Sequence, residues 1–96
     1  MDVIFRVDKT RGAYESGHVF AVFPFEWAND FYLTGYAHIG QHFGAAWDFI
    51  RDCSRPATPE EAAPLLEELN KIGYADLKQL KRLPSLQKCW KNRNRE

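Results

Sequence analysis

The sequence predicts an α+β fold: an antiparallel sheet of four to five strands, one main amphipathic helix (58–73) packed on one face, and a short C-terminal helix. Three observations carry that prediction. Apolar, β-branched and aromatic runs fill residues 3–38, joined by loops too short for crossover helices. A helix start signal at Thr58-Pro59-Glu60-Glu61 is followed by apolar residues at helical spacing. A shorter helical spacing recurs at Leu86, Cys89 and Trp90.

The elements follow in order. Val3, Phe5 and Val7 alternate with Ile4, Arg6 and Asp8, the period of a first strand with one mostly buried face. Lys9 to Gly17 reads as a loop. His18 to Phe23 reads as a central strand that Pro24 should end, because proline cannot donate to a ladder. Phe25 to Asp30 then reads as a loop, and Phe31 to His38 as a third strand with a bulge or close approach at Gly35. Residues 40–55 match both periods; the reading favours a helical turn near 43–47 and a strand near 48–54.

Thr58 and Glu61 have the spacing of a capping box, with Pro59 at the first helical position. Ala62, Leu65, Leu66, Leu69 and Ile72 form one stripe, while Glu67, Glu68 and Lys71 face away. Gly73 marks the stop, with Tyr74 placed to pack back, and Pro64 should kink the helix. Asp76 to Leu83 is a strand or a second helix; its bracketing by Gly73 and Pro84 suits a strand better. The expected order is four strands, a helix, a strand and a short helix. Residues 1–84 form a single domain and residues 85–96 a basic tail.

Ninety-six residues, 45% of them hydrophobic, suffice for one core and not two. Aromatics reach 15%, which serves a lean core or an exposed contact patch. Cys53 and Cys89 form no metal-like pair, and neither a secretion signal nor an apolar 18-residue stretch is visible. Free thiols, a cytoplasmic location and no membrane partner are therefore expected. Net charge is zero, yet residues 1–76 carry 12 acidic and 6 basic side chains, whereas residues 77–96 carry 7 basic and 1 acidic.

The tail is the best functional signal. Lys78, Lys81, Arg82, Lys88, Lys91, Arg93 and Arg95, interleaved with Trp90, could neutralise phosphates while Trp90 stacks on a base, or could dock on an acidic partner. The second candidate is Phe25, Glu26, Trp27 and Asp30, a loop tryptophan with a polar rim such as interfaces use. His38 and His42, with His18, Asp48, Asp52 and Cys53, offer metal-ligand types without metal-ligand spacing, so no metal and no cofactor are expected. Cys53 sits beside Asp52, which raises rather than lowers a thiol pKa, and the carboxylate pairs Glu60-Glu61 and Glu67-Glu68 read as a cap and a solvated face. No catalytic residue is expected.

Residues 36–82, about half the chain, resemble a group of short, uncharacterised proteins carried by bacterial mobile elements, phages or conjugative elements. The resemblance rests on His38-Ile39-Gly40-Gln41-His42, Gly44-Ala45-Ala46, Arg55-Pro56-Ala57-Thr58-Pro59-Glu60-Glu61, Ile72-Gly73-Tyr74 and Asp76-Leu77-Lys78. Phe43, Pro64 and the basic tail depart from that pattern. The resemblance implies a small binding protein that engages a host macromolecule, including the inhibition of a defence protein such as a CRISPR effector. The expected partner is a host protein, with nucleic acid through the tail as the alternative; a homodimer stays open.

Overall fold

A computed structural model describes residues 1–9, 19–37, 41–74 and 76–93. His18, His38 and Arg95 lie outside them. The elements are β1 (Asp2–Asp8), β2 (Val19–Trp27), β3 (Leu33–Ala37), β4 (Gln41–Ala45), α1 (Trp47–Cys53), β5 (Ser54–Pro56), α2 (Pro59–Lys71), β6 (Lys78–Gln79) and α3 (Leu86–Lys91). The fold is α+β. The sheet runs β4-β3-β2-β1-β5, antiparallel throughout, and the two-residue β6 joins β1 in parallel. β5 takes the Arg6–Asp8 half of the outer edge of β1 and β6 takes Asp2–Val3.

Helices cover both faces of this sheet. On one face Val3, Phe5, Ala21, Phe23 and Tyr36 meet Ala62, Leu65 and Leu69 of α2. On the other, Ile4, Phe20, Val22, Leu33 and Ala45 meet Ile50 of α1 and Cys89 of α3. β1 is thus buried on both faces, not mostly on one, and its polar positions Arg6 and Asp8 are buried too.

The main helix is built as its sequence predicts. The Glu61 amide donates to Thr58 Oγ1 at 3.2 Å, and the Thr58 amide donates to Glu61 Oε1 at 2.9 Å. At the other end Gly73 has φ +115°, the Tyr74 amide donates to the Leu69 carbonyl at 3.0 Å and the Gly73 amide donates to that of Asn70 at 3.4 Å. Those two bonds are a Schellman motif, which needs a residue with positive φ at this position. Pro64 lies on the exposed side, and the helix continues through it to Lys71. Glu68 differs from expectation: its carboxylate accepts from the buried Tyr36 hydroxyl instead of facing away.

Two stretches depart further. β2 does not stop at Pro24 but runs to Trp27, so Phe25, Glu26 and Trp27 are strand residues and not loop residues. Pro24 falls where the register against β3 shifts between Phe23 and Trp27, and an irregular rung makes no demand on its missing N–H. In residues 40–55 the order is reversed: strand β4 comes first and helix α1 follows. Glycine decides this. The Phe43 ring lies across Gly35 on β3, and Tyr32 lies over Gly44, so β4 seats closely on the sheet.

A Cβ at Gly35 would come within 2.7 Å of Phe43 Cζ, and that ring is already packed edge-on to Phe20 at 6.0 Å. Gly35→Ala is therefore expected to cost about 1–3 kcal/mol by overpacking. A urea melt should show a lowered midpoint that Gly35→Ala/Phe43→Leu partly restores. An unchanged midpoint would show that β4 has slack.

Candidate binding site around α3

The C-terminal segment is an integral layer of the fold. Ser85 opens α3 by accepting the Lys88 amide on its hydroxyl at 3.2 Å. Cys89 points into the core with no exposed surface. Two tryptophans pin the segment: Trp27 Nε1 donates to the Cys89 carbonyl at 3.0 Å, and Trp47 Nε1 donates to the Pro84 carbonyl at 2.8 Å. Burial pushes the Cys89 thiol up to about 11, so it stays protonated and is no nucleophile near neutral pH.

Around α3, Leu86 and Trp90 lie one turn apart and share a flank. Trp90 meets the Trp27 ring edge-to-face at 5.1 Å. Trp27, Asp30, Leu86, Gln87 and Trp90 line a shallow, largely apolar groove of about 530 Å³. Leu86 remains 44% exposed and Trp90 39% exposed, so its apolar wall meets solvent. The Arg93 guanidinium sits over the Trp90 ring at 4.1 Å and donates to the Trp90 carbonyl at 2.8 Å. On the opposite flank a second depression of about 360 Å³ takes Phe25, Lys78, Leu80 and Lys88 into its lining.

The geometry thus joins parts of the two segments singled out in the sequence. Trp27, Asp30 and Trp90 share one groove; Lys91 and Arg93 belong to the same helix and its end; Phe25 and Lys88 lie on the far flank. Glu26 is half-buried in β2 and lines neither, Lys81 lies in a crevice beside Phe5 and Thr58, and Arg82 is exposed ahead of α3. Leu86 and Gln87 were missed as lining residues, although the spacing of Leu86 and Trp90 was visible. Phe31, counted as a strand residue, is 75% exposed in the β2–β3 turn, where its amide and that of Tyr32 donate to Asn29 Oδ1 at 2.8 and 2.9 Å.

The basic residues divide into two groups. Three of the body are paired with carboxylates: Arg55 grips Glu61 at 2.7 and 2.9 Å, Arg51 grips Asp52 at 2.7 and 2.9 Å, and Lys71 meets Glu67 at 3.3 Å; Lys9, like the C-terminal cations, makes no ion pair among the described residues. The Arg55 guanidinium, helped by the Thr58 amide, holds the Glu61 carboxyl down to about 2. Lys78, Lys81, Arg82, Lys88, Lys91 and Arg93 make no ion pair among the described residues.

Of the histidine candidates, His42 is the one within the described residues. His42 Nε2 lies 2.9 Å from the Tyr74 hydroxyl, and its ring meets Tyr36 edge-on at 5.0 Å. Among the described residues no three His, Cys, Asp or Glu side chains are grouped to hold a metal ion. Nor, among them, is any helix long and apolar enough to cross a membrane. No protein-family model, no curated protein and no solved structure matches the chain.

Proposed function

We propose that this chain is a non-catalytic binding protein of a mobile genetic element that docks on a host protein, in the cytoplasm, through the α3 groove. One observation carries the reading: Trp27, Leu86 and Trp90 converge on an apolar, solvent-open groove beside cations that nothing in the described fold neutralises. Tryptophan and arginine are the side chains that interface energetics favour, especially where an apolar centre has a polar rim. The mobile-element context, and inhibition of a host defence protein such as a CRISPR effector, rest on the sequence resemblance. No cofactor is invoked. The non-catalytic reading is supported by a buried, protonated Cys89 and by the engagement of Glu61 in a helix cap and Glu67 in an ion pair.

Nucleic-acid binding is the second reading, favoured by six C-terminal cations that make no ion pair among the described residues. Against it, a base stacking on Trp90 would compete with Arg93 on one side of the ring and with Trp27 at its other contact.

The test is a pull-down from host lysate, with and without nuclease, using wild type and Leu86→Glu. A charge at an apolar centre should cost roughly 2 kcal/mol, about thirtyfold in affinity. One stoichiometric protein, identified by mass spectrometry, should survive nuclease and be lost with Leu86→Glu while circular dichroism shows the fold intact. Recovery that collapses with nuclease would replace this reading with the second.

A further inference from the structure

We infer that the occupant of the α3 groove is a short acidic protein segment carrying one or two projecting apolar side chains, its carboxylates set against Lys91 and Arg93. The inference rests on the docking reading above and specifies its ligand.

The geometry of α3 sets the pattern. A residue step of 100° places Leu86 and Trp90 on the groove flank, Lys91 on the crest beside Trp90, and Lys88 over the far side, with Cys89 turned to the core. Lys91 lies across Gln87 from the groove, in a depression that also takes Lys88, and Arg93 covers the Trp90 ring, so the cations stand just outside the apolar lining, within reach of the flanks of a segment whose apolar side chain enters between Trp27 and Leu86. The opposite wall ends in Asp30, the one acidic lining residue among those described, which disfavours a carboxylate there. The ligand is thus polarised: acidic toward α3, neutral or basic toward the β2–β3 turn.

Charge complementarity argues the same way over a longer range. Residues 77–93 contain six basic and no acidic side chains, and none of the six forms an ion pair within the described fold. Arg51, Arg55 and Lys71, by contrast, all have carboxylate partners in the body. Rim charges of this kind chiefly raise the rate of encounter and reject wrong partners, while the apolar contact supplies the affinity.

The test uses the full chain and capped synthetic peptides, followed by the indole N–H resonances of Trp27, Trp47 and Trp90. The probe is Glu-Glu-Leu-Phe-Glu-Glu; the controls are Ser-Ser-Leu-Phe-Ser-Ser, Glu-Glu-Ser-Ser-Glu-Glu and a ten-nucleotide oligothymidylate. The probe should move the Trp27 and Trp90 signals and weaken as salt rises from about 50 to 200 mM. Binding should fall about tenfold in Lys91→Glu/Arg93→Glu and be lost in Leu86→Glu. Equal binding of the serine peptide, tighter binding of the oligonucleotide, or self-association of the chain that Leu86→Glu abolishes would overturn the inference. If the probe leaves both signals unmoved while Leu86→Glu still abolishes capture of the host protein, the acidic segment is wrong and the docking reading stands. Capture that Leu86→Glu leaves undiminished sinks both.

Discussion

Truncation after Leu83 is expected to unfold the protein, not merely to strip it of positive charge. The deletion removes Cys89 from a cluster that includes Ile4, Phe20, Val22, Leu33 and Ile50, opening the part of that sheet face that α3 covers. It also removes the carbonyls of Pro84 and Cys89, which accept the indole N–H groups of Trp47 and Trp27. Each stranded indole costs about 1–3 kcal/mol where it stays buried. Loss of Cys89, the buried side chain of α3, behaves like a large-to-small core substitution at about 2–5 kcal/mol. A total of roughly 5 kcal/mol or more rivals the whole stability of a small domain. Circular dichroism and urea melts of residues 1–83 should show no cooperative transition; a sharp one near the wild-type midpoint would show that α3 is dispensable to the fold. Loss of ligand binding in this truncation therefore says nothing about charge. Lys88→Glu and Lys91→Glu, at exposed positions, are the clean probes of it.

What could be read from the sequence was what local chemistry decides. The capping box of α2 and its glycine stop involve residues within a few positions of one another, and both appear as the side-chain types require. The short helix at Leu86, Cys89 and Trp90 was legible for the same reason. Residues 40–55 were not, because the choice between strand and helix is made elsewhere: Gly35 on β3 leaves room for Phe43, and Arg6 on β1 holds the end of α1. The strand through Pro24 was hidden because a bulge cancels the usual objection to proline. At the site, Trp27 and Trp90 were each conspicuous, but nothing local says that two distant tryptophans meet. Their contact follows from α3 folding back across the end of β2, a tertiary fact that also turned an apparent tail into a core element.

The second large effect is expected at Arg6, an alternating polar position in the sequence that proves to be only 7% exposed. Its Nε donates to Ser54 Oγ at 2.9 Å, and its Nη2 donates to the carbonyls of Ile50 and Ser54 at 3.0 and 2.8 Å. A helix leaves its last carbonyls without internal partners, and here a cation bound to the sheet takes up that role for α1. Burial lowers the pKa of Arg6, but a guanidinium starts so high that it stays charged. Charged hydrogen bonds are each worth about 1.5–3 kcal/mol, and orphaned buried carbonyls add to the loss, so Arg6→Ala should cost about 3–5 kcal/mol. Arg6→Met retains most of the volume and should lose less; Arg6→Lys keeps the charge but cannot fork to three acceptors, and should lose least. Urea midpoints should fall in that order, and amide exchange at the α1–β5 junction should accelerate before global unfolding. Arg6→Met as stable as wild type would mean that the polar bonds only offset their own desolvation. The arginine would then serve to select the α1 geometry over a strand at residues 47–53, the very ambiguity that the sequence presents.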